Sequence, residues 1–99
     1  MLGWEQQFTV ESQVTLRPDG SVVWGYLGTN SPYTFRQIQI LIDAMDSSDQ
    51  LVAQRLAWVI GTLSWPSRLF FQVPMPAAAA YRVQVFSYDR VETERRRFP

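Results

Sequence analysis

The sequence predicts an all-β fold, an antiparallel sandwich or barrel of about six or seven short strands. Several short segments alternate between apolar and polar residues, which is the periodicity of a half-buried strand. Turn-forming Gly, Pro, Asn and Asp residues separate these segments at intervals of about 8 to 15 residues, a spacing typical of such folds. The chain has 99 residues, 46% of them hydrophobic, which is enough for one domain with one core.

The first predicted element is a β-hairpin. The segment from Phe8 to Leu16, FTVESQVTL, alternates strictly between two faces. Pro18, which presets φ, and the pair Asp19-Gly20 then supply a turn. The chain is therefore expected to reverse into a second strand from Val22 to Leu27.

This second strand contains two glycines, Gly25 inside it and Gly28 at its end. A strand glycine typically marks a bulge or a close approach of two backbones. The alternative is the GxxG loop of some nucleic-acid-binding modules. That loop joins two helices and usually carries basic residues, whereas the centre here is Tyr26-Leu27. We therefore favour a bulge or a close approach.

Residues 33–60 contain two apolar runs on either side of the polar turn DSSDQ, and two interpretations are open. A helical pair would use Ser31-Pro32 and Asp49 as N-terminal caps and Gly61 beyond the last helical residue. A β-hairpin would place Ile38, Ile40, Ile42 and Ala44 on one face of its first strand and Val52, Leu56, Trp58 and Ile60 on one face of its second. We favour the hairpin, because the first run is β-branched and alternates cleanly with Gln and Asp. Its apolar faces are then expected to fill the core.

The remainder of the chain continues the strand pattern. LFFQVP is a further short strand that two prolines end, and PAAAA is a tight connection too short for a stable helix. A last strand alternates from Tyr81 to Asp89. We place one domain at residues 1–89 and a flexible C-terminal tail at residues 90–99, which carry four Arg and almost no apolar side chain.

Composition argues against several classes of function. Nine Arg balance nine Asp and Glu, so no net field attracts nucleic acid or an anionic membrane. The chain has no His and no Cys, which removes the usual catalytic base, thiolate nucleophile and zinc ligands. We predict no enzyme activity, no metal and no cofactor. The start MLGWEQQFTV lacks the features of a signal peptide, and no apolar run approaches the ~20 residues of a membrane span. We predict a soluble monomer.

Asp43, Asp46 and Asp49 suggest a calcium site. Calcium loops, however, combine alternating oxygen ligands with a turn Gly and a downstream bidentate Glu, and DAMDSSDQL has neither. We interpret Asp46 and Asp49 as turn residues whose side chains hydrogen-bond to the backbone.

The large aromatic residues fall into two groups. Those that suit core positions are Trp24, Trp58, Phe70 or Phe71, and Phe86. Trp65, Tyr33 and Trp4 lie in or beside predicted loops. They are either exposed platforms for a peptide or a sugar, or caps over the ends of the core.

Three segments together, residues 22–52, 61–76 and 81–89, resemble the FxLYD-type domains and related bacterial immunoglobulin-like modules. The matching elements are the strand glycines Gly25 and Gly28 before Asn30, the strand that ends in the acidic turn Asp43 to Asp49, the strand Phe71-Gln72-Val73, and the last apolar strand Tyr81 to Tyr88. The F-x-L-Y-D string itself is absent, and Phe86-Ser87-Tyr88-Asp89 is its nearest equivalent. The resemblance implies an immunoglobulin-like β-sandwich of about seven strands.

Our leading functional hypothesis is a non-catalytic structural or protein-interaction module that offers an edge strand to a protein or peptide. The resemblance implies a bacterial cell-envelope or periplasmic setting. The alternative is a carbohydrate or small-ligand binding module that uses Trp65, Tyr33 and Trp4.

Overall fold

The computed structural model describes residues 7–91, which form six strands in two antiparallel sheets. The strands are β1 (Phe8–Arg17), β2 (Gly20–Thr29), β3 (Thr34–Met45), β4 (Leu51–Val59), β5 (Leu69–Met75) and β6 (Ala80–Val91). One sheet has the order β1-β2-β5, and the other has the order β4-β3-β6. No helix occurs between residues 7 and 91. The all-β prediction is confirmed, with six strands in this part of the chain instead of about seven.

The predicted first hairpin is confirmed. β1 and β2 pair from Phe8 opposite Thr29 to Arg17 opposite Gly20, which leaves Pro18 and Asp19 as the turn. The backbone of Gly20 has a φ of 150°, a value that favours glycine. The sequence therefore supplies both the proline that begins the turn and the glycine that ends it.

Gly25 marks a close approach of two strands. The pairing of β1 with β2 runs through it without a bulge. A Cβ placed on Gly25 would lie 1.8 Å from the carbonyl oxygen of Glu11, a distance that no side chain can occupy. Of the two roles predicted for this glycine, the close approach is therefore the one the fold uses.

The central hairpin is confirmed, and the helical interpretation of residues 33–60 is wrong. β3 and β4 pair antiparallel from Ile38 opposite Val59 to Met45 opposite Leu51. The turn between them is held by Asp46, whose carboxylate accepts hydrogen bonds from the backbone N–H groups of Ser48 and Gln50 at 2.8 and 2.9 Å. Asp46 is thus a turn residue, as predicted.

The core lies between the two sheets and takes side chains from both. The buried apolar residues are Phe8, Val23, Leu27, Phe35, Ile38, Ile40, Ile42, Ala44, Val59, Leu63, Phe71, Val73, Met75 and Val85. At one end, the rings of Phe8, Phe35 and Tyr88 contact one another at centroid distances of 4.7 to 5.3 Å. The amide of Gln7 donates a hydrogen bond of 2.7 Å to the Tyr88 hydroxyl, which joins the start of β1 to β6.

The predicted core face of β4 is wrong. Val52, Leu56 and Trp58 are exposed, Trp58 by 59%, and Ile60 lies beyond the end of the strand, exposed by 83%. The reason is the register: Val59 pairs with Ile38, so the inward face of β4 carries the odd-numbered residues. On that face Ala53 and Ala57 are partly buried against the core.

Of the predicted pair Phe70 or Phe71, Phe71 is buried, as predicted, and Phe70 is 49% exposed on the other face of β5. Two further core predictions, those for Trp24 and Phe86, are wrong. Trp24 lies on the outward face of β2 and is half-buried, because the inward face carries Val23 and Leu27. Phe86 is 43% exposed at an irregularity in the pairing of β6 with β3.

The two sheets contact each other along both sides. β1 lies beside β6, and β5 lies beside β4. On the second side Arg55 of β4 donates a hydrogen bond of 2.8 Å to the carbonyl oxygen of Pro74 in β5. β6 continues to Val91, two residues past the predicted domain boundary, and the rest of the predicted tail lies outside the described residues.

Candidate binding surfaces

The outer face of β4 exposes several large apolar side chains. Val52, Leu56 and Trp58 project from it, and we call these three residues the β4 face. On β3, Leu56 lies opposite Leu41 and Trp58 lies opposite Gln39. Leu56 and Trp58 are neighbours on this face, and Gln54 separates them from Val52. Exposed apolar side chains grouped in this way can mark a protein-binding surface.

The same sheet face is polar between Val52 and Leu56, where Gln54 lies opposite Asp43. Asp43 is only 2% exposed, although it lies on the outward side of β3. Its carboxylate accepts hydrogen bonds from the Gln54 amide at 2.8 Å and from the Arg82 guanidinium at 2.8 Å. The Gln84 amide lies 3.5 Å from the same group. Asp43 therefore connects β3 to both of its neighbours.

A second surface lies on the outer face of the sheet β1-β2-β5. Trp24 and Tyr26 project from β2, and Phe70 projects from β5 beside them. The Phe70 ring centroid is 6.4 Å from that of Trp24 and 5.6 Å from that of Tyr26. The Trp24 indole N–H donates a hydrogen bond of 3.0 Å to the Thr15 hydroxyl, which fixes the ring. We call Trp24, Tyr26 and Phe70 the aromatic face.

A cleft of about 370 Å³ opens beside the aromatic face. Its lining is Glu11, Ser12 and Gln13 of β1, Trp24, Gly25 and Tyr26 of β2, and Arg68. A concave site with aromatic walls and a few convergent polar groups is the usual form of a ligand site.

Arg68 closes one end of this cleft. Its guanidinium lies 4.6 Å from the centroid of the Tyr26 ring and 2.7 Å from the Glu11 carboxylate. The Arg68 side chain passes at van der Waals distance, 3.5 Å, from where a Cβ of Gly28 would be. The one positive and the one negative group in the cleft thus neutralise each other, and the site presents no net charge.

Two of the three loop aromatics predicted to bind a ligand are exposed at one end of the molecule. Tyr33 is 47% exposed and Trp65 is 67% exposed. An antiparallel bridge joins Phe35 to Leu63, and the hydroxyls of Thr34 and Ser64 meet at 2.9 Å. This register puts Tyr33 and Trp65 at the next pair of positions.

The surroundings of these loop aromatics are only partly open. The guanidinium of Arg90 lies 4.2 Å from the centroid of the Tyr33 ring and covers one of its faces. Trp4, the third predicted residue, lies outside the described residues. A binding role for Trp65, Tyr33 and Trp4 stays a prediction.

The comparisons with known proteins add no relative. No protein-family model, no curated protein and no solved structure matches the chain. Residues 7–91 contain no helix with the length and apolarity that crossing a bilayer requires.

Proposed function

We propose that this chain is a non-catalytic protein-interaction module that binds an extended segment of a partner along the free edge of β4. The observation that supports the proposal is the position of β4. It is hydrogen-bonded to β3 on one side only, and its other edge lies beside β5 without strand pairing. Four of its six exposed residues, Leu51, Val52, Leu56 and Trp58, are apolar. An edge strand with free backbone groups and apolar side chains is a template for strand addition.

In this proposal the partner strand pairs with the β4 backbone, and its alternate side chains contact the β4 face. Backbone hydrogen bonds supply affinity, and the contacts with Leu56 and Trp58 supply selectivity for apolar side chains at every second position. Trp58 is the expected anchor, because burying a large aromatic ring contributes most at such interfaces.

Arg55 limits which strands can pair with β4. It lies at the middle of β4 on the inward face, opposite Ile42, and reaches the carbonyl of Pro74. An inward-pointing charge on an edge strand disfavours pairing with an identical strand, because two guanidinium groups would meet. The proposed partner is therefore a different chain, with no Lys or Arg opposite Arg55.

Selection of peptides tests this proposal. Twelve-residue peptides selected from a random displayed library should alternate apolar and polar residues, and should bind Leu56→Lys at least about tenfold more weakly than the native protein, since a Lys on the edge repels an added apolar strand. Leu16→Lys is the matched control, because Leu16 is 77% exposed on the edge strand β1 of the other sheet. Selected peptides that lack alternation, or that bind both variants equally, would contradict the proposal.

The immunoglobulin-like classification of the two-sheet fold, and a bacterial cell-envelope or periplasmic location, also belong to this proposal. Both rest on the resemblance to the FxLYD-type domains. Fractionation of cells that express the native gene checks the location: recovery in the periplasm or envelope supports it, and recovery in the cytosol contradicts it.

A second candidate function is carbohydrate or small-ligand binding by the loop aromatics. The supporting observation is that Tyr33 and Trp65 are both exposed at the end of the molecule where the 34–64 hydroxyl pair joins their segments. Titration with a panel of oligosaccharides, followed by the indole N–H signals in NMR spectra, tests it. The Trp65 signal should shift, and an unshifted Trp65 signal would contradict this function.

A further inference from the structure

The cleft beside the aromatic face has the width of one ring. Trp24 and Tyr26 are two residues apart on β2 and project from the same face, so their backbone positions are separated by about 6.8 Å. Gly25 lies between them in the chain, and the backbone of β1 passes directly beside it. A flat or puckered five- or six-membered ring can therefore lie between the two aromatic side chains.

The ring orientations favour a groove over a flat platform. The Phe70 ring is inclined by 38° to that of Trp24 and by 62° to that of Tyr26. Sugars stack along a row of aromatic rings when those rings share one plane, and these three do not. Trp24 and Tyr26 both line the cleft, so an inserted ring would lie between these two side chains, and Phe70 would contact the ligand beside the cleft.

The polar groups of the cleft narrow the ligand class. Arg68 and Glu11 satisfy each other, so the ligand needs no charge. The Gln13 amide and the Tyr26 hydroxyl form no side-chain hydrogen bond within residues 7–91, and both can donate. The ligand should therefore be neutral, should carry compact apolar rings, and should present acceptor oxygens beside them.

We propose that the aromatic face and its cleft bind a proline-rich peptide segment in the polyproline II conformation. Such a segment is a preformed helix whose carbonyl oxygens stay free to accept hydrogen bonds. One proline ring would lie between Trp24 and Tyr26, with a carbonyl accepting from Gln13 or from the Tyr26 hydroxyl. The next proline on the same face, about 9 Å along the segment, would then contact Phe70. This site is on the opposite sheet from the β4 edge and does not depend on the function proposed there.

Titration with decaproline, monitored by NMR, tests the inference. The four indole N–H signals are first assigned from Trp→Phe variants. The chemical shift of the Trp24 indole N–H should change as decaproline is added and reach a plateau. Phe70→Leu should weaken binding by about tenfold, as loss of an aromatic contact does at such sites. Tyr26→Phe, which removes only the hydroxyl, should weaken binding by about fivefold. Ile60→Ala, a change at an exposed residue outside both surfaces, should leave the affinity unaltered.

Each other outcome overturns the inference. If cellohexaose or another hexasaccharide shifts the Trp24 signal and decaproline does not, the surface is a sugar site. If decaproline shifts only the Trp58 or Trp65 signals, binding occurs elsewhere. A Trp24 signal that neither probe moves at millimolar concentration would show that the cleft has no such ligand.

Discussion

At the scale of single residues, two buried hydroxyls on β2 contribute in opposite ways. The Thr29 hydroxyl donates to the carbonyl of Gln7 at 2.6 Å and accepts from the backbone N–H of Ser31 at 3.0 Å. The Ser21 hydroxyl is equally buried but has no hydrogen-bond partner in the described part of the chain. A satisfied buried hydroxyl stabilises the fold, whereas an unsatisfied one costs its desolvation.

Substitution of these two residues should therefore change stability in opposite directions. Ser21→Ala should raise the free energy of unfolding by about 1 kcal/mol, and Thr29→Val, which keeps the shape of the side chain, should lower it by about 1 to 2 kcal/mol. Urea unfolding followed by tryptophan fluorescence measures both. A loss of stability in Ser21→Ala would mean that the hydroxyl has a partner after all.

Gly25 should be the glycine least tolerant of substitution. Gly25→Ala should lower the free energy of unfolding by at least about 2 kcal/mol, because the atom in the way is backbone and β1 would have to move. Gly28→Ala is the matched control. Its added Cβ would meet the Thr9 hydroxyl at 2.8 Å, and that side chain can rotate away. Equal losses in the two variants would contradict the close approach of β1 to β2.

At the scale of the strands, β4 shows what the alternation of apolar residues can and cannot predict. It predicted the β3–β4 hairpin and the inward face of β3. It could not predict the inward face of β4, because Val59 is the only large apolar residue on that face beside Ala53, Arg55 and Ala57, whereas Leu56 and Trp58 face outward. Only the register with β3 decides between the two faces, and the register depends on the length of the turn. For the same reason, the alternation could not predict that Trp24 and Phe70 lie on the outward face of the other sheet.

The strands of the second sheet should depend strongly on Arg82. Arg82→Ala leaves the buried carboxylate of Asp43 without its cation and should lower the free energy of unfolding by about 2 to 3 kcal/mol. Arg68→Ala breaks an ion pair whose two side chains are 55% and 70% exposed, and should cost no more than about 1 kcal/mol. Chemical unfolding of both variants checks the difference, and similar losses would contradict a structural role for Asp43.

At the scale of the whole molecule, the sequence indicated one core and antiparallel strands but not their assignment to two sheets. β5 returns to pair with β2, and β6 crosses to pair with β3. These pairings join residues distant in the chain, so no local pattern encodes them. The number of large apolar residues also led to the wrong prediction that most of them lie in the core. A protein of 99 residues has too little polar surface to cover itself, so several large apolar residues remain outside.

Arg55 should control association of the whole molecule. The sequence predicts a monomer, and light scattering should give the mass of one chain at about 100 μM, a concentration at which weak transient contacts are largely dissociated. Arg55→Ala removes the inward charge from the edge of β4 and should promote dimers at the same concentration. Arg17→Ala should not. A dimeric native protein, or a monomeric Arg55→Ala, would contradict this role.

The hydrogen bond between Gln7 and Tyr88 brings the first described residues beside the last strand. Within residues 7–91 the start of β1 therefore lies beside the last strand, a geometry that suits insertion into a surface loop of a host protein, because the two ends of the host loop need not separate far. In such an insert, both outer faces would stay accessible to other molecules.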